Sequence, residues 1–218
     1  MAMKEETWLL GGKSPLMQSS PASLAPEEQE ASDAIGTSKK KVYDDDEECE
    51  VRVYRNEKRQ YVHPSTAFRR GLITAAKGRK IGKDFARSLV AGAVFMCDEY
   101  MVIEDPATNK PIKSYVKDVR TARVGTALIR RVRPKFPKWQ IRVTVEIDTE
   151  MITVLSLHQL LVIFGNRVGL GELRPDSDGG KTGVGDFGRF DPVFQGDQKL
   201  VRQGGPTKVK EKNALGVS

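Results

Sequence analysis

Residues Trp139–Ile147 alternate without a break: Trp139, Ile141, Val143, Val145 and Ile147 fall on one face, and Gln140, Arg142, Thr144 and Glu146 on the other. That period-two pattern belongs to a β-strand with one face in a core and the other in water. Such a strand needs hydrogen-bonded neighbours and an apolar layer over its buried face. The rest of the chain must supply both.

Candidate strands are numerous. Glu50–Arg55 alternates Val51 and Val53 with polar residues and predicts a half-buried strand. Thr126–Arg133 sets Ala127 and Ile129 among a row of arginines. With a turn at Phe136-Pro137-Lys138, it is expected to pair with the Trp139 strand as an antiparallel hairpin. Val94–Glu104 and Tyr115–Val124 read as further strands, and Phe187–Phe194 as a final edge strand.

Two helices stand out. In Thr66–Lys77, Phe68, Leu72, Ile73 and Ala76 recur at helical spacing, with Ser65 as the expected N-cap and Gly78 as the stop. A second helix is expected after a Ser156 cap, with Leu157, Leu160, Leu161 and Phe164 on one side and Gly165 ending it. Lys83–Val90 adds a short helix or turn. The order β-α-β-β-β-α-β predicts an α+β fold: a ferredoxin-like or RRM-like antiparallel sheet with two main helices, spanning 49–195.

The flanks lack such periodicity. Residues 1–48 read as a disordered acidic tail, because Ser14–Ser38 is built from Ser, Pro, Ala, Gln and Glu; Trp8-Leu9-Leu10 reads as a short peptide that docks on a partner. Residues 196–218 read as a flexible C-terminal tail. Cys49 and Cys97 are too few for a disulfide framework or a four-thiolate zinc site. The longest apolar run, Met151–Phe164, is interrupted by Thr153, Ser156, His158 and Gln159, and nothing near Met1 reads as a signal peptide, so a cytoplasmic protein with no membrane partner is expected.

Charge is distributed in zones. Residues 1–50 carry 5 bases and 12 acids, 51–142 carry 22 bases and 7 acids, and 143–218 carry 9 bases and 10 acids, within a formal net charge of +7. A middle so basic asks for a polyanion or an acidic partner. The acidic run Asp44–Glu48 reads as a solubilising tail, with cover of the basic face as the alternative.

Three clusters carry the expected nucleic-acid contacts. Ser65, Arg69 and Arg70 lie at a helix N-terminal half, with Lys77, Arg79, Lys80 and Lys83 continuing the charge. Arg130, Arg131 and Arg133 sit near Phe136 and Trp139, a mixture suited to single strands, although Trp139 itself fits the core. Arg174, Lys181 and Arg189 are interleaved with Gly169, Gly171, Gly183, Gly185 and Gly188, and such glycines let backbone approach a phosphate.

Cofactor and catalytic motifs fail. Gly169-Leu170-Gly171 follows a helix and precedes Pro175, which rules out a dinucleotide fingerprint. Gly180-Lys181-Thr182 has Pro175 where a P-loop needs its first glycine. His158 reads as structural, and His63 as a phosphate contact or cap. No catalytic residue, metal site or cofactor is assigned; a metal-dependent nuclease using Asp176, Asp178 or Asp186 is the minor alternative.

Val62-His63-Pro64-Ser65-Thr66-Ala67-Phe68-Arg69-Arg70-Gly71-Leu72 and Gly183-Val184-Gly185-Asp186-Phe187-Gly188-Arg189-Phe190 together resemble the RAMP superfamily of CRISPR-associated backbone proteins, which are modified RRM folds. The resemblance covers about Cys49–Phe194. It implies single-stranded RNA binding along a filament of repeated subunits. The chain also resembles small proteins encoded by bacteriophages and prophages. The expected function is a non-enzymatic single-stranded nucleic-acid-binding protein that self-associates along RNA or DNA. A phage structural or self-assembling protein is the alternative.

Overall fold

The computed structural model describes residues 2–20, 44–124, 127–176 and 185–202. It is an α+β protein built on antiparallel strands. The main sheet contains β1 (Met3–Gly12), β3 (Val62–Pro64), β6 (Val94–Met96), β7 (Tyr100–Asp105), β8 (Lys110–Pro111), β11 (Gln140–Asp148) and β12 (Phe190–Phe194). Its order is β12-β1-β11-β7-β3, with β6 also on β11 and β8 on β7. A second sheet runs β2 (Leu16–Met17), β10 (Ala127–Phe136), β9 (Val116–Val124), and a small hairpin joins β4 (Lys80–Ile81) to β5 (Asp84–Phe85). The helices are α1 (Asp45–Glu50), α2 (Ser65–Ala75), α3 (Ala86–Ala93), α4 (Val154–Ile163) and α5 (Lys199–Arg202). Among the described residues no helix is long and apolar enough to cross a membrane.

The expected N-terminal tail is corrected over its first part. Met3–Gly12 is an interior strand of the main sheet, paired with β11 on one side and β12 on the other. Its register sets Trp8 against Val143 and Leu10 against Ile141, so both side chains join the alternating apolar face of β11. Trp8 is fully buried and stacks on Phe194 at 5.0 Å. The Trp8-Leu9-Leu10 triplet is thus core, not a peptide offered to a partner.

The Glu50–Arg55 strand is also corrected. Asp44 caps α1, its carboxylate accepting from the Asp46 amide at 2.8 Å. Four acids in the first turn complement the helix dipole. That local preference overrides a weak two-valine alternation, and Val51 is left 48% exposed. The expected hairpin between the arginine-rich strand and the Trp139 strand does not form either. β10 pairs with β9 and β2, while β11 pairs with β1, β6 and β7. The chain crosses between sheets at Pro137-Lys138, and each strand finds a longer partner elsewhere. The Val94–Glu104 strand is split in two, as β6 and β7.

The core forms where α2 and α4 cover the sheet. Phe68 of α2 meets Phe164 at 5.2 Å, and Phe164 meets Phe190 at 5.1 Å in an edge-to-face contact. Trp139 is buried as its alternation predicts, donating Nε1–H to the Ser14 carbonyl at 2.7 Å. Thr153 replaces Ser156 as the N-cap of α4, its hydroxyl accepting from the Ser156 amide. Gly165 does not end the helix. The chain continues through a π-helical turn, Phe164–Val168, and leaves it at Gly169, whose φ is 73°. Gly165 is required for a different reason: a Cβ there would collide with the Phe190 carbonyl of β12.

Candidate functional site

Behind α2 the π-helical turn delivers Val168–Glu172 toward the residues that follow β2. Together they line a half-open cavity of about 290 Å3, whose walls include Gln18, Tyr54, His63, Arg70, Thr74 and Arg174. Two wider clefts near Lys110–Lys113, of about 390 and 600 Å3, are more open, and among the described residues neither is lined by a buried polar atom that lacks a partner.

The cavity unites two of the expected clusters. Arg70 from α2 and Arg174 from the glycine-rich segment line it, as do Gly169 and Gly171. Arg174 donates Nη1–H to the Gly171 carbonyl at 2.8 Å, which fixes its stem. Between Glu172 and Arg174, Leu173 adopts a φ of 51°, a left-handed conformation uncommon for such a residue.

His63 of β3 is 3% exposed, and neither ring nitrogen has a hydrogen-bond partner among the described residues. Burial pushes its pKa down to about 4, and the Arg174 charge acts in the same direction. The imidazole is therefore neutral at pH 7, with one N–H to give and one lone pair to receive. Burial also raises the Tyr54 hydroxyl above its ordinary range, assisted by Glu172. Tyr54 donates to the Ser19 carbonyl at 3.4 Å.

Several predicted contacts have structural employment. Ser65 is no N-cap: Pro64 takes that position without a side-chain bond, and the Ser65 hydroxyl is buried without a hydrogen-bond partner among the described residues. Arg69 donates to the carbonyls of Val94 at 3.2 Å and Ala91 at 2.7 Å, tying α2 to the end of α3. Arg79 donates to the Ala75 carbonyl at 3.0 Å. Arg130 pairs with Asp45 and Arg133 with Glu172, while Arg131 stays half-buried between them on β10. At Arg189 only the backbone amide is so employed, donating to Ser14 Oγ at 3.0 Å, while the side-chain Nε is buried without a partner among the described residues.

The glycines Gly171, Gly185 and Gly188 are explained by packing. A Cβ would strike the carbonyl of Met17, Leu173 or Leu170 respectively. At these positions close backbone approach serves the chain itself. Lys181, Gly183 and Asp178 lie outside the described residues. Among the described residues no group of three or more His, Cys, Asp or Glu is placed to hold a metal.

Lys77, Lys80 and Lys83 are exposed around the β4–β5 hairpin. There the ammonium of Lys80 sits 5.1 Å over the Phe85 ring, and Phe85 is 62% exposed. Sequence reasoning missed this aromatic because it lies inside a segment read as a short helix. It also placed the acidic run in a tail, whereas α1 packs on the β9–β10 hairpin. Asp45 meets Arg130 there, and Asp46 meets Lys117 at 2.8 Å.

His158 has the expected structural role, its Nδ1 accepting from Trp8 Nε1 at 3.3 Å. No protein-family model matches the chain, and no curated protein matches it.

Proposed function

We propose that the protein binds single-stranded nucleic acid without catalysing a reaction, using a ferredoxin-like core as scaffold. The observation that carries this reading is the β4–β5 hairpin: an exposed Phe85 under the Lys80 ammonium, with Lys77 and Lys83 beside it. A solvent-facing ring among cations costs a monomer apolar exposure, and suits a ligand that offers stacking bases and a charged backbone. The strand order supports the scaffold part. Taken as β1-α2-β7-β11-α4-β12, the core runs β-α-β-β-α-β, with its strands in the order fourth, first, third, second.

The uncovered face of that sheet carries Thr7 and Leu9 on β1 and Arg142, Thr144 and Glu146 on β11. These are not the stacking aromatics of a standard RRM platform, so the reading assigns binding to the helical side and the hairpin. RNA-filament binding, as the RAMP resemblance implies, remains within this proposal.

Fluorescence anisotropy with labelled single-stranded RNA, single-stranded DNA and duplex DNA at two salt concentrations tests it. Saturable binding to single strands that weakens steeply with salt is the expected result. Weak binding to all three alike would sink it.

Self-assembly is the second reading, and one observation favours it. β12 closes the main sheet, paired only with β1 among the described strands, and carries Val193 half exposed. An edge strand is a template for a strand from another copy. Light scattering that reports oligomers without nucleic acid supports that role.

A further inference from the structure

We propose that the cavity between α2, β3 and the Val168–Arg174 turn is a binding site for a phosphate group carried by a nucleotide. The first ground is His63. A buried imidazole whose two nitrogens lack partners among the described residues forfeits hydrogen bonds that water would have supplied in the unfolded chain. Folding tolerates such a group where something else completes it, and this one lines a half-open pocket of about 290 Å3.

The second ground is charge. Arg70 and Arg174 reach the same cavity from separate parts of the chain. The one carboxylate in the wall among the described residues, Glu172, is already held by Arg133 outside it. The lining therefore presents two guanidiniums against one neutralised acid. Planar guanidiniums match phosphate oxygens in geometry and charge. Arg174 has its Nη1 on the Gly171 carbonyl, so its remaining donors are preoriented. His63 would donate its N–H to a phosphate oxygen and receive at the other nitrogen from a ligand hydroxyl or a water. Val168, Leu170 and Ala67 supply apolar wall for the sugar or base attached to the phosphate.

The choice of a nucleotide as carrier rests on the nucleic-acid reading; the phosphate chemistry does not. Two sources share that chemistry, a backbone phosphodiester and a free mononucleotide.

The chain has only two histidines, His63 and His158. In the 13C-labelled chain their Cε1–H resonances are separable and are assigned with the variant His158→Gln. Sodium phosphate, uridine monophosphate and a short oligouridylate are titrated separately at constant ionic strength. The expected result is a saturable shift of the His63 resonance, with His158 unmoved. Arg70→Gln weakens the response about tenfold, the loss of one charge-assisted contact. Arg70 is exposed, so this variant keeps the fold even if Arg174→Gln does not.

A His63 resonance that ignores all three ligands, or an equal response in Arg70→Gln, overturns the proposal. A shift with the mononucleotide but no oligonucleotide binding by anisotropy supports the site and overturns the nucleic-acid reading. Oligonucleotide binding with a silent His63 does the reverse.

Discussion

Asp45 and Arg130 stand 85 residues apart in the chain and form an ion pair on the face of the β9–β10 hairpin. Asp46 repeats the arrangement with Lys117 at 2.8 Å. The acidic run is therefore docked on part of the most basic zone of the chain and occupies cations that a polyanion would otherwise reach.

Reversing Asp45 and Asp46 to lysine should raise affinity for single-stranded nucleic acid, because the internal competitor is removed and two cations are added. The gain should shrink as salt is added, since exposed charges are screened over roughly 8 Å at physiological ionic strength. Anisotropy titrations of the double variant at low and high salt measure it. Unchanged affinity at low salt would mean that the hairpin cations take no part in binding.

Arg69→Glu and Arg70→Glu, though adjacent, should behave differently. Arg69 bonds two carbonyls near the end of α3, so its loss should lower stability by about 1–3 kcal/mol, as for a charged group's hydrogen bonds, read from denaturant unfolding. Arg70→Glu should leave the midpoint alone and weaken nucleic-acid binding, lowering the salt slope by about one phosphate contact.

Stability should depend on pH through His63. The unfolded side chain takes a proton near pH 6.5, whereas the folded one resists until about pH 4. Between these values the unfolded state binds more protons, so stability is full above pH 6.5 and falls as pH drops toward 4. The difference is about 3 kcal/mol across the window at most. Burial lowers the His158 pKa as well, with the same sign. Thermal melts from pH 7.5 to 4 should show a shallower decline for His63→Gln than for the natural chain; parallel curves would contradict the neutral buried imidazole.

Cys97 is exposed and Cys49 buried. Burial pushes the Cys49 thiol up to about 11. One equivalent of a thiol reagent should react in the folded protein and the second only on unfolding. The Cys97 reaction should be slower than that of a free thiol, because partial desolvation and then Glu5, Asp98 and Glu146 disfavour the thiolate. Mass spectrometry of the labelled chain counts the adducts.

Trp8→Ala should cost about 3–5 kcal/mol, the usual penalty for emptying an aromatic core site, measured by urea unfolding. A genuine tail would have lost nothing.

That last contrast marks what was legible in the sequence. The Trp139–Ile147 alternation gave its strand and its buried face, and helical spacing gave α2 and α4 with their core residues. β1 was hidden because Glu6 occupies an inward position and Leu9 an outward one, which blurs the alternation. Its neighbours Val143 and Phe194 lie so far along the chain that no local pattern announces them. Of the site, Arg70 was marked for charge in one cluster and Arg174, Gly169 and Gly171 in another, and nothing in the sequence joined the two. Their meeting depends on the π-helical turn, which replaces an expected stop at Gly165. The structural bonds of Arg69 and Arg79 were not legible, because composition cannot distinguish an arginine facing water from one bonding backbone carbonyls.

The interior position of β1 also sets a schedule for synthesis. β1 leaves the ribosome long before β11 and β12, the two strands that hold it. At 5–20 residues per second, Trp8 waits on the order of ten seconds before Val143 is made. During that interval an apolar segment destined for the middle of the sheet has no native partner, so the growing chain depends on being kept from its neighbours until translation is well past its midpoint.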